Sequence, residues 1–342
     1  MAQELRSISL VAPAFRGINT EDSPIAQDPS FAEIADNAII DKRGRIAARK
    51  GHVVKTTSGS ELNSKAIRAI KEYKKTDGTL MVFSVGNNKI LSGVTTLVDE
   101  SDTIVTAGYT ISADNWKIVD FNEYLYFFQH QQEPLVYDGT SLEKMSSVTG
   151  ASIVGNIPQG NEVIAAYGRL WTAKKNDSVV YWSDLLIGHN WDGGTSGSIN
   201  ISKVWPDGFD EIVGLAAHNG LLIIFGKHSI VVYQGAQSPA TMSLADTIAG
   251  VGCVDRDTIQ HTGTDVIFLS YSGLRSFGRT IQEKSMPVRT LSNTITKDII
   301  RELTSESNFF RSVYSPEQSF YLLSFVGRKV TYCFDLRVPL ED

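Results

Sequence analysis

Residues 210–235, DEIVGLAAHNGLLIIFGKHSIVVYQG, hold three short apolar runs separated by turn residues, and the unit recurs along the chain. Residues 212–217 read as a first strand, and His218-Asn219-Gly220 supplies a tight reversal. Residues 221–225 form a fully apolar second strand, 226–229 a second turn, and 230–233 a third strand. Asn-Gly between apolar runs is a strong hairpin signal, because both residues accept the positive φ of a type I′ turn. A run such as LLIIF, with no polar alternation, suits a strand buried on both faces of its sheet.

The other copies of this meander lie at 66–93, 116–139, 162–184, 257–278 and 309–336. Aligned on Ile90, Val136, Val180, Val231, Leu274 and Thr331, the third strands recur at steps of 46, 44, 51, 43 and 57 residues. Propeller blades repeat at roughly 40–50 residues, and one such sheet cannot bury both faces alone. Six copies closed into a ring would bury them all and leave few open edges. The expected fold is therefore all-β, a six-bladed β-propeller. The longest step contains a helix candidate at 292–303, SNTITKDIIREL, whose Ile295, Ile299, Ile300 and Leu303 fall at helical spacing.

Residues 1–60 have a different texture. Phe15-Arg16-Gly17-Ile18-Asn19 and Asp22-Ser23-Pro24 give an extended, turn-rich arm. A short helix is expected at 31–36, with Ser30 as cap and Glu33 at the third helical position. A turn at 41–44 then leads into the basic run Lys42, Arg43, Arg45, Arg49 and Lys50, closed by Gly51. The chain thus divides into an arm, 1–60, and a propeller, 61–342. An arm strand within 45–54 is a candidate to complete an end blade.

The formal charge of −6 and pI near 5.6 argue against a phosphate-neutralising DNA reader, which needs clustered Lys and Arg. Two cysteines, Cys253 and Cys333, supply neither a disulfide framework nor a four-cysteine zinc site, and both read as buried thiols. No apolar run reaches the roughly 20 residues that span a bilayer. The opening MAQELRSISLVAPAF carries an acidic residue and a short apolar patch, a poor signal peptide, so the expected place of synthesis is a reducing cytoplasm.

Chemistry is sparse. Six histidines stand at 52, 130, 189, 218, 228 and 261 without zinc-site spacing, and His218 and His228 read as turn residues. Nucleophile elbow, P-loop and Rossmann glycine patterns are missing from the sequence, and the glycine-rich stretch 188–198 leads into a loop, not a helix. Propellers do host glycosidases, so the acidic residues Asp184, Asp207, Asp210 and Glu211 beside Trp182 and Trp205 are a carboxylate-pair candidate. Trp171, Trp182, Trp191 and Trp205 are better explained by packing between neighbouring blades than by sugar stacking. No catalytic, cofactor-binding or metal-binding residue is assigned, and an enzyme is not expected; a glycan-binding or glycosidase propeller is the alternative.

The arm carries a resemblance. Phe15-Arg16-Gly17-Ile18-Asn19, Ser23-Pro24, Asp36-Asn37, the segment 41–46 with Gly44, and Arg49-Lys50-Gly51 resemble the opening of the tail nozzle proteins of short-tailed bacteriophages, also called tail tubular protein B or tail hub proteins. Tyr332-Cys333-Phe334-Asp335-Leu336-Arg337 with Pro339-Leu340-Glu341-Asp342 is similar to a later strand of that family. Lys50 stands where many members have proline, and members usually run on past such a Leu-Glu-Asp stretch, which implies a short or truncated member here. The resemblance implies a structural virion component: a homo-hexamer that continues the portal and adaptor, retains the packaged genome and conducts DNA on ejection. Tail fibres and transient, non-specific contact with DNA are further implied partners. An acidic wall suits DNA that must slide, and six copies at −6 each give −36. The basic arm suits docking on an acidic neighbour, so Phe15, Arg16, Gly17, Ile18, Asn19, Arg43, Arg45, Arg49 and Lys50 are expected to meet the adaptor or a sister subunit.

Overall fold

In the computed structural model the described residues are 15–41, 45–56, 66–86, 88–111, 116–151, 158–283, 290–304 and 309–337. The arm contributes two small sheets. β1 (Gly17–Ile18) pairs in parallel with β2 (Phe31–Ala32), and β3 (Ala38–Ile40) pairs antiparallel with β4 (Ile46–Ala48). The segment 31–36 is therefore not a helix: Phe31 and Ala32 give their backbone to β1, and a bend and turn follow. Nor does 45–54 complete a blade, since β4 pairs with β3 inside the arm and residues 49–56 form no strand.

Six antiparallel sheets then follow in a ring, a six-bladed β-propeller. Blade 1 is β5 (Ile67–Lys74), β6 (Leu80–Gly86), β7 (Lys89–Ser92) and β8 (Val98–Asp99), followed by the short helix α1 (Asp102–Thr106). Blade 2 is β9 (Lys117–Phe121), β10 (Tyr124–Phe128), β11 (Leu135–Tyr137) and β12 (Leu142–Lys144). Blade 3 is β13 (Glu162–Ala166), β14 (Arg169–Ala173), β15 (Val179–Trp182) and β16 (Gly197–Asn200). Blade 4 is β17 (Ile212–His218), β18 (Leu221–Gly226), β19 (Ile230–Gln234) and β20 (Ser243–Ile248). Blade 5 has β21 (Gln260–His261), β22 (Val266–Ser270) and β23 (Gly273–Ser276), then α2 (Phe277–Glu283) and α3 (Thr296–Leu303). Blade 6 has β24 (Phe310–Ser315), β25 (Phe320–Phe325) and β26 (Val330–Asp335).

The turn from first to second strand uses one backbone solution three times. Asn122-Glu123, Tyr167-Gly168 and Asn219-Gly220 all have positive φ at both positions, the type I′ geometry that matches strand twist. Blades 1 to 4 each carry a fourth, outer strand beyond the three-strand unit read from sequence. These strands are partly exposed, and they lack the apolar signal that marks the inner three.

The second strand of each middle blade serves two interfaces. Leu222 and Ile224 of β18 pack with Trp171, Val180 and Trp182 of blade 3, whereas Ile223 and Phe225 pack with Val266 and Phe268 of blade 5. β10 divides likewise, with Leu125 and Phe127 facing blade 1 and Tyr126 and Phe128 facing blade 3. Alternating side chains of one strand thus seal two blade faces, which is why LLIIF and YLYFF need no polar position. The clusters fill the five interfaces from blades 1–2 to 5–6. Cys253 is buried in the blade 4–5 cluster, which pushes its thiol up to about 12. Cys333 is exposed rather than buried, because it lies on the face of blade 6 turned away from the 5–6 cluster.

Candidate functional site: the arm and the inner ring

The arm is folded onto its own propeller. Gly17 sits at φ 121, a conformation that favours glycine, and Arg16 and Asn19 donate backbone N–H groups to Ser30 O and Ala32 O at 2.8 and 3.0 Å. The buried Asn19 side chain organises the next turn: its Oδ1 accepts from the backbone of Glu21 and Asp22, and its Nδ2 donates to Asp22 at 2.7 Å. Ile18 packs on the blade 5–6 cluster. Thr20 donates its backbone N–H to Thr294 O at 2.9 Å and its hydroxyl to Asp298 at 2.6 Å, while Glu21 pairs with Lys297 at 2.9 Å. The first arm sheet is therefore fastened to α3.

The second sheet is held by its own polar residues. Asn37, at φ 55, accepts the Arg49 guanidinium at 2.8 Å, and Asp41 pairs with Arg45 across the turn at 3.0 Å. Arg337, after β26, donates to Ile40 O at 2.7 Å and ties this hairpin to blade 6. Of the residues expected to dock elsewhere, Ile18 and Asn19 are spent within the chain and Phe15 is half-buried. Arg16 is exposed, with its guanidinium 5.9 Å from the Phe31 ring, and Arg45, Arg49 and Lys50 are exposed as well. Arg43, with Lys42, falls outside the described residues. The two expected contact segments lie in separate sheets.

The acidic candidates are loop anchors. Asp210 is buried and accepts backbone N–H groups from Glu211, Lys227 and His228 at 2.8, 3.1 and 2.9 Å, and a Cβ on Gly226 would collide with its carboxylate. Glu211 pairs with Lys227. Asp207 accepts from Gly250 at 3.2 Å. Asp184 accepts from the backbone of Thr195 and Leu185 and from the Thr195 hydroxyl, and the Thr195 backbone bond leads in holding its carboxyl below the ordinary range. Asp184 and Asp210, whose carboxylates accept from several backbone donors, organise turns. The tryptophans pack between blades: Trp171 and Trp182, 5.5 Å apart, join Trp205 at the 3–4 interface, and Trp191 lies 6.4 Å from Phe128. Among the described residues no group of three His, Cys, Asp or Glu side chains could hold a metal ion.

Sequence reasoning missed a set of charged contacts that runs between blades. Glu162, at the start of β13, is buried and accepts from Leu215 N of blade 4 at 3.3 Å. Its other oxygen lies 3.9 Å from Lys117 of blade 2 and 3.8 Å from Arg256 of blade 5. Asp257, beside Arg256, pairs with Arg311 of blade 6 at 2.7 Å. Burial raises the Glu162 carboxyl above the ordinary range despite both cations, because neither approaches to hydrogen-bond distance. Apart from the neighbours Arg256 and Asp257, these residues are far apart in sequence, and only the packing of the blades brings them together.

No protein-family model matches the sequence, and no curated protein matches it. Among solved structures it is similar to the extracellular domain of BT4673 from B. thetaiotaomicron, with TM-score 0.45 and 14% identity over 75% of this chain and 32% of that one. It is also similar to the computationally designed protein Ika8, with TM-score 0.44 and 10% identity over 79% of this chain and 71% of that one. A third is PorZ, a surface component of the type-IX secretion system of Porphyromonas gingivalis, with TM-score 0.44 and 13% identity over 80% of this chain and 33% of that one. The chain spans about a third of the length of the two natural proteins. At these values the likenesses carry no functional information.

Proposed function

We propose that the chain is a structural subunit of the tail of a short-tailed bacteriophage, one of six copies forming the nozzle that retains the genome and conducts it on ejection. One observation supports the reading: residues of the resemblance that fall in the described arm hold its two sheets together. Gly17 supplies the positive φ of β1, Asn19 organises the following turn, and Asn37 and Asp41 fasten the second sheet through Arg49 and Arg45. Such a motif specifies a fastened arm, with Arg16 and Lys50 left at the surface for an acidic adaptor or sister subunit, beside the exposed but internally bonded Arg45 and Arg49.

In this role the genome passes between copies and not through a blade ring. Glu162 reaches partners on blades 2, 4 and 5, so charged side chains meet across the inner ring of a single chain. A cryo-EM reconstruction of the virion tests the proposal. Six copies of this chain at the distal end of the tail, with the arm against the adaptor or a neighbouring copy, is the expected result. Density for the tail that contains no such propeller would overturn it.

A further inference from the structure

The blades are not joined alike. Apolar clusters fill the interfaces from blades 1–2 to 5–6, and none lies between blade 6 and blade 1 among the described residues. The sheet faces turned toward that seam still carry apolar side chains. On blade 1, Ile70 and Leu80 lie on the face opposite Tyr73 and Phe83, which pack toward blade 2. On blade 6, Val313 and Cys333 lie on the face opposite Phe310 and Phe325, which pack toward blade 5. All four are exposed. Apolar walls that stay in contact with water gain little from facing one another.

The arm spans this seam. Its first sheet grips α3, after blade 5, through Thr20, which gives its backbone N–H to Thr294 O and its hydroxyl to Asp298, while Ile18 packs on the blade 5–6 cluster. Its second sheet meets blade 6 on the seam face itself. Arg337 donates to Ile40 O at 2.7 Å, and its guanidinium lies 5.2 Å from the ring of Phe320, which shares a face with Val313. Beyond β4 the chain leaves blade 6 for blade 1. Thr56 donates its hydroxyl to Val94 O, just after β7, at 2.8 Å, and β5 begins at Ile67. Neither arm sheet adds a strand to a blade.

We propose that the arm is a strap that holds the ring closed between blades 6 and 1, and that its release opens the propeller at this seam. At the other interfaces packed aromatic and aliphatic side chains hold blade to blade, and a loosened arm leaves them in place. At the seam the described direct contacts are the Arg311–Arg68 bond and the Arg68–Phe309 cation–π contact. A tether fixed on both sides keeps such faces at high effective concentration. Any partner that binds the released arm more tightly than the docked one therefore shifts the ring toward its open form. The strap itself needs no partner and does not depend on the tail role.

The test follows hydrogen exchange by mass spectrometry in the whole chain. The double variant Thr20→Val/Arg337→Met removes two grips of the arm, and neither side chain contacts blade 1 among the described residues. Arg337 also bonds Asp335 in β26, so β5 of blade 1 is the decisive strand. Arg45→Gln, which loosens the Asp41 turn inside the arm, is the control. The expected result is exchange about tenfold or more faster in β5 of the double variant, with β13 to β18 unchanged. Arg45→Gln should alter β3 and β4 and leave β5 as it is. Faster exchange confined to the arm and β26 would make the arm a passenger, and an equal rise in every blade would make the effect a general loss of stability. Either outcome would overturn the proposal.

Discussion

Arg311 of the last blade donates its guanidinium to the backbone carbonyl of Arg68 in the first, at 3.3 Å. Arg68 in turn lies 5.1 Å from the Phe309 ring. The described contacts at this seam are thus polar and cation–π, whereas the other five interfaces carry apolar clusters. Ile67 and Ile70 of β5 and Val313 of β24 remain exposed. The ring is therefore expected to open first where its two ends meet.

Replacing Arg311 by Ala removes that bond and the pairing with Asp257. The expected cost is about 1–2 kcal/mol, because the guanidinium is partly exposed. Hydrogen exchange should accelerate in β5 and β24 before any other strand. Uniform acceleration around the ring would show that the seam is not the weak interface.

Asp210→Ala leaves three backbone donors without their acceptor in a buried turn. A loss of about 2–3 kcal/mol in denaturant unfolding is expected, with Asp210→Asn recovering part of it. Were the change instead to abolish hydrolysis of a glycan without lowering stability, the turn-anchor role would fail.

Asp255 caps the turn before β21, and burial followed by repulsion from Asp257 raises its carboxyl from 3.8 to about 6. The folded state therefore holds a proton that the unfolded chain has released between these values. Stability from this group is present at pH 4 and below, falls as pH rises toward 6, and is flat above. Asp255→Asn keeps a capping oxygen and should flatten that slope in unfolding measured from pH 4 to 7. An unchanged slope would assign it to another group.

Glu21→Lys places like charge against Lys297 and removes an ion pair between the arm and α3. Limited proteolysis should then cut the arm faster while the propeller stays intact. Reversing Arg16 and Lys50 to Glu, which leaves the Arg45–Asp41 and Arg49–Asn37 fastenings in place, should keep monomer stability within about 1 kcal/mol but weaken co-assembly with the adaptor. Normal co-assembly of the reversed protein would refute arm docking.

The sequence determined the blades because each inner strand announces itself locally. Fully apolar runs such as 221–225 and 124–128, with Asn-Gly or Asn-Glu between strands, leave a propeller as the way to bury both sheet faces. The helix expected at 292–303 was legible from the helical spacing of its apolar residues, and it forms as a 3-10 turn, Asn293–Ile295, running into α3. Where local signal was weak, tertiary structure decided. The outer strands β8, β12, β16 and β20 form because a neighbouring strand offers unpaired backbone, and Phe31 and Ala32 become strand because β1 lies beside them. The Glu162–Arg256 and Arg311–Arg68 contacts join residues far apart in the chain. Hydrophobic periodicity is a property of neighbours in sequence, but charge pairing and cavities are properties of neighbours in space.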